Sequence, residues 1–231
     1  MAGAIVQEST QSANTTGGTT QSSTAFSAAC AIGNTIELLV GYQNSTAPTS
    51  IVDSAGQTYT LAVTNYSAGP DYTTSLYIKL GNTSATALVV TVTWAGAHTN
   101  LFAWTREISG CGAVLASAQS HQLAPGTATD AITSGSMGPT GVSGFLSSFC
   151  VNLNTSTIPS AGTGFTAGTT GLSPFGGRSE WATNSGSAVA ATYTDSGGAT
   201  GGYTTLAVIY ALRLYGSLGQ FDQQLNILAW F

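Results

Sequence analysis

The 231-residue chain carries four basic and nine acidic side chains, a net charge of −5, and only 6% charged residues against roughly 25% in an ordinary soluble domain. Lys79, Arg106, Arg178 and Arg213 are scattered, so no cationic stripe forms to neutralise phosphates, which argues against both nucleic acid and an anionic membrane as partners. With 42% apolar residues the chain supplies a continuous core, which excludes wholesale disorder, and no run nears the ~18 consecutive apolar residues of a membrane span.

The first residues, Met1 to Glu8, have neither a basic region nor a long apolar one, so they do not read as a signal peptide. Cys30, Cys111 and Cys150 are an odd set in a chain too large to need disulfides, which suits a reducing place of synthesis. Period-two alternation then dominates. Ile36 to Tyr42 is apolar on both faces and predicts a central strand. Asp53-Ser54-Ala55-Gly56 separates Ile51-Val52 from Tyr59 to Val63 and predicts a hairpin loop with glycine free to take a positive φ. Ser75 to Leu80 puts Leu76, Ile78 and Leu80 inward and Ser75, Tyr77 and Lys79 outward. Leu88, Val90, Val92 and Trp94 share one face of the next strand.

Gly112 to Gly141, with Pro125 and Pro139, reads as a crossover between two halves of one sandwich, with Ala131-Ile132-Thr133 a candidate strand inside it and a split into two domains as the alternative. Leu206 to Leu214 is apolar on both faces, a second central strand. About a dozen short strands at 8–12-residue spacing predict an all-β antiparallel sandwich over residues 1–215. Residues 216–231 form a short apolar tail whose Phe221, Leu225 and Leu228 fall at i, i+4 and i+7.

Chemistry-bearing motifs are sparse. The only lysine sits inside a strand, so no phosphate-binding Gly-Lys-Ser/Thr loop exists, and Gly141-Val142-Ser143-Gly144 is one residue short of a nucleophile elbow. His98 and His121 lack neighbours at metal-ligand spacing. Glu37 and Glu107 are the strand carboxylates a two-acid glycosidase would need, although exposed or Arg-paired side chains account for both more simply. Asp53, Asp71 and Asp195 sit where turns favour aspartate. Trp104 and Trp181 are candidate sugar-stacking residues, with Trp181 the better placed for exposure and Trp94 a core residue. The reading is therefore of a protein without catalytic residues, cofactor or metal.

Gly33-Asn34-Thr35-Ile36-Glu37-Leu38-Leu39-Val40, followed by Ile51-Val52-Asp53-Ser54-Ala55-Gly56-Gln57-Thr58-Tyr59, resembles a recurring pattern of an apolar strand and an Asp-Ser-x-Gly turn closed by tyrosine. With Ser75 to Lys79, Val90 to Trp94, Glu107 to Gly110, Gly162 to Thr166 and the strand Leu206 to Arg213, it is similar to jelly-roll-like sandwich modules of tailed-phage virion proteins and bacterial extracellular proteins. The resemblance runs in order over residues 4 to 214 and brings no catalytic residues with it. It implies a virion structural subunit, a capsid decoration or fibre-type protein, made in the host cytoplasm and homo-oligomeric, with a trimer as one form. Other virion proteins are the implied partners. The apolar tail departs from the family pattern and reads either as a segment folded back on its own sandwich or as an arm docking on another subunit through Phe221, Leu225, Leu228, Trp230 and Phe231. The alternative is a carbohydrate-binding module that stacks surface glycans on Trp104 or Trp181.

Overall fold

A computed structural model describes residues 3–68, 71–122, 131–153, 158–171, 175–194 and 202–213. The described residues are all-β and contain no helix. The first half holds β1 (Ala4–Glu8), β2 (Ser12–Asn14), β3 (Gly18–Ser22), β4 (Thr35–Gln43), β5 (Ser50–Asp53), β6 (Thr60–Ser67), β7 (Tyr72–Lys79), β8 (Val90–His98) and β9 (Leu101–Ser109). The second half holds β10 (Cys111–Gln122), β11 (Ala131–Thr133), β12 (Gly144–Asn152), β13 (Ser160–Ala161), β14 (Thr166–Gly171), β15 (Gly177–Asn184), β16 (Thr192–Thr194) and β17 (Tyr203–Leu212).

The strands form four antiparallel sheets. In the first half, β1-β9-β4-β7-β6 make the large sheet, with β2 also on β9, and β3-β8-β5 make the small one. In the second half the large sheet is β10-β17-β12-β15-β14 and the small one β11-β16-β13. With β2 set aside, each half has eight strands paired 1-8-3-6-5 and 2-7-4. The two halves thus repeat one topology.

The expected antiparallel sandwich is present, doubled. Four layers stack as small, large, large, small. Leu38, Val40 and Tyr42 of β4 pack on Val90, Val92 and Trp94 of β8. Leu146 and Cys150 of β12 and Ile209 of β17 pack on Ile132 and Tyr193 of the last small sheet. Between the two large sheets lies a third core, where Leu39, Phe102, Trp104 and Ile108 meet Phe145, Phe149, Leu206 and Val208. Double-sided burial is what the apolar runs in β4 and β17 specify.

The crossover expected over Gly112 to Gly141 begins as the twelve-residue strand β10. The passage between halves is instead the single residue Gly110, at φ 69°, whose carbonyl accepts the Arg213 N–H at 2.7 Å. Ala131-Ile132-Thr133 is the strand β11. The predicted hairpin after Asp53 is a sheet-to-sheet turn. β5 pairs with β8 and β6 with β7, leaving only an isolated Val52–Thr58 bridge between the two arms. The Asp195–Gly198 turn and the apolar tail lie outside the described residues.

Parity failed where a second layer covers a face that looked polar. Tyr77 and Ser75, expected outward on β7, are buried because the small sheet and β6 lie over them. Leu80, expected inward, is exposed, since β7 ends at Lys79.

Candidate functional site

The most concentrated chemistry lies between the large sheets. Register places Glu8 of β1, Arg106 of β9 and Glu37 of β4 opposite one another across three adjacent strands. They share a face and meet Ser147 of β12, Ser179 of β15 and Tyr210 of β17 on the sheet of the other half. Arg106 donates from Nε to Glu8 Oε1 at 2.8 Å and from Nη1 to Ser147 Oγ at 2.6 Å. Glu37 accepts from Ser147 Oγ at 2.7 Å and from Tyr210 OH at 2.6 Å. Glu8 also accepts from Ser179 Oγ at 2.7 Å and from the Thr169 N–H at 2.8 Å. The guanidinium lies 4.3 Å from the centre of the Phe149 ring.

One cation faces two carboxylates, and their environments separate them. Burial opposes ionisation of Glu8, but Arg106, Ser179 and the Thr169 amide overcome it and hold the carboxyl below its usual range. Glu37 sits farther from the charge, with Nη1 at 3.7 Å, and burial pushes it upward against Arg106, Tyr210 and Ser147. The surroundings therefore favour the charge on Glu8, in its ion pair with Arg106, and oppose it on Glu37. Arg106, Glu37, Ser147 and Ser179 are all fully enclosed, so the cluster offers no surface to a dissolved molecule. Its hydrogen bonds cross between the halves of the chain, and its chemistry is that of a registry lock.

The other expected residues are dispersed. Glu37 and Glu107 do not form a two-acid site: Glu107 opposes Ile36 while Glu37 opposes Arg106, so the two carboxylates point to opposite faces of one sheet. Glu107 is neither exposed nor Arg-paired. It accepts from Gln7 Nε2, the Ala31 N–H and Asn34 Nδ2 at 2.6–2.7 Å, and so ties the loop before β4 to the sheet. Trp104 is 1% exposed and edge-on to Phe149, and Trp181 is half-buried against the central core with Arg106 5.7 Å from its ring. Trp104 is thereby closed to a sugar, while Trp181, expected to be exposed, turns toward the inter-sheet contact and keeps only part of its surface open. Trp94 is core, as expected. Phe221, Leu225, Leu228, Trp230 and Phe231 lie outside the described residues.

Asp53 is a structural hub. Its carboxylate accepts from the Ala55 and Gln57 N–H groups, from Gln57 Nε2 and from Tyr59 OH, at 2.9–3.1 Å. Gly56 closes the turn at φ 77°. The Asp-Ser-x-Gly-x-x-Tyr spacing is therefore a turn lock. His121 Nε2 lies 2.8 Å from Ser67 Oγ, but Ser67 is only 1% exposed and no carboxylate orients the ring among the described residues. The three cysteines are buried thiols.

Known proteins offer no precedent. No family model, curated protein or solved structure matches this chain.

What sequence reasoning missed is where the charge goes. All four glutamates and Arg106 are turned inward, and Asp71 is the one exposed charged side chain among the described residues. The signal was available in Glu37, which stands between apolar residues in a strand buried on both faces.

Proposed function

We propose that this chain is a structural subunit of a bacteriophage particle, a capsid decoration or fibre-type protein that acts by surface-to-surface packing. The observation that carries the reading is the inward turning of the charged groups. The described exterior is built of hydroxyls, amides, glycine and scattered apolar side chains, a chemistry suited to close contact between neutral surfaces. The repeated 1-8-3-6 and 2-7-4 strand orders support it, since they follow in part the winding of jelly rolls, an architecture used in viral shells and lectins. A subunit of this kind gains roughly 25 cal/mol for each Å² of apolar surface it hides, less the cost of association, and repetition on a symmetric lattice multiplies weak contacts.

The test is quantitative mass spectrometry of purified particles. Decoration requires many copies per particle, and a fibre-type subunit requires a few. Complete absence of the chain from washed particles overturns the proposal.

A further inference from the structure

Three of the exposed large apolar side chains, Leu61, Leu80 and Val114, gather around one groove. A groove of about 470 Å³ opens between the β6–β7 edge and β10, lined by Thr60, Leu61, Ala62, Ile78, Leu80 and Val114. Leu61, Leu80 and Val114 are 47%, 41% and 38% exposed, beside Ala62 and Ile78 of the central core. Lys79 stands on the same rim, the sole lysine of the chain. Such a groove is the size of sites that enclose a small ligand or a few large side chains.

The last described residues, Leu212 and Arg213, lie beside this groove. Leu212 still packs on the central core. The Arg213 side chain lies against Gly81 and Gly112, with Nη2 and Cγ 3.6 and 3.4 Å from where a Cβ would stand on those two glycines. Gly81 follows Leu80 and Gly112 lies two residues before Val114, so both rims are within two residues of the Arg213 contacts.

We infer that this groove is the seat of the chain's own C-terminal segment, with Phe221, Leu225 and Leu228 as its anchors. Their spacing gives one apolar stripe. The intervening residues 214–220 contain Gly216 and Gly219 and span up to about 23 Å, enough to reverse direction and return. Asp222 is the only charged side chain in residues 214–231, and the charges beside the groove, Lys79 and Arg213, are of opposite sign. Tethering at the rim raises the local concentration of the segment to the millimolar range, so a copy's own segment outcompetes a neighbour's. The inference is independent of the particle reading and uses soluble protein alone.

A photo-crosslinking residue in place of Thr60, on the exposed rim, tests it in the full chain. Trypsin cuts after Arg213 and releases residues 214–231 as one peptide. Mixing ¹⁴N- and ¹⁵N-labelled protein before irradiation separates crosslinks within a copy from those between copies. The expected result is a crosslink to that peptide with all-light or all-heavy mass, reduced about tenfold by Leu225→Asp. Crosslinks of mixed isotopic mass, crosslinks confined to other peptides, or a yield unchanged by Leu225→Asp each overturn it.

Discussion

Replacing Arg106 by methionine keeps most of the side chain's volume and removes its charge. The variant loses the 2.8 Å bond to Glu8 and the 2.6 Å bond to Ser147, and it leaves Glu8 as an anion with only Ser179 and the Thr169 amide to solvate it. Breaking one partner of a buried pair costs about 3–5 kcal/mol, a large part of the ~5–15 kcal/mol that holds a domain together. With a urea dependence of about 2–3 kcal/mol per M, the unfolding midpoint falls by about 1–2 M. The two carboxylates then discriminate. Glu37→Gln costs under ~1 kcal/mol because burial works against the charge that the variant removes, whereas Glu8→Gln costs about 1.5–3 kcal/mol by removing the ionised acceptor. A Glu8→Leu/Glu37→Leu/Arg106→Met triple variant recovers most of the loss, since an apolar cluster of similar volume replaces a desolvated one. Urea titrations at pH 7, followed by tryptophan fluorescence, measure all four. An Arg106→Met loss below 1 kcal/mol, or equal losses for Glu37→Gln and Glu8→Gln, refutes the charge assignment.

Glu180, enclosed near Arg178 and held by the Gly162 N–H, is pushed up to about 7, first by burial. A raised carboxyl pKa favours the folded state at low pH, so this contribution is present below about pH 4.5 and lost as pH rises through 7, by up to ~3 kcal/mol. The difference between wild type and Glu180→Gln, measured by denaturation from pH 4 to 8, isolates that slope from the contribution of Glu37 in the same direction; parallel curves contradict it. Gly41→Ala drives a Cβ into the Phe102 ring between the large sheets and lowers stability by about 1–3 kcal/mol, read as a drop in Tm. Tyr59→Phe removes one bond to Asp53 and costs about 1 kcal/mol, while Asp53→Ala unlocks the whole turn and costs more. Burial pushes the Cys30 and Cys111 thiols to about 11 and 12, so neither reacts with a thiol reagent at pH 8 until the protein unfolds; prompt labelling of the native protein disproves that enclosure.

Strands were legible wherever a short window carried the information. Leu88 to Trp94 alternates as drawn, and the double-faced runs in β4 and β17 announce central strands. Partner choice was not legible, because it depends on residues a hundred positions away. Glu8 and Arg106 are 98 residues apart and Tyr210 and Glu37 are 173, so no local pattern reveals that they converge. The repeated topology was hidden for a related reason: pairing order recurs between the halves, but the residues at matching places differ. Trp181 was misjudged from its charged neighbours, Arg178 and Glu180, when its parity with Ser179 was what set its direction.

The two halves meet as a symmetric dimer would. β1 of the first half lies by β14 of the second through the Thr169–Glu8 bond, and β10 of the second lies by β6 of the first through Ser117 and Ala62. First strand meets fifth strand on both sides, the pattern an approximate two-fold axis generates. A protein arranged this way carries a ready-made pair of similar outer walls facing opposite directions. Whatever the strand order alone shapes is therefore displayed twice, once on each flank.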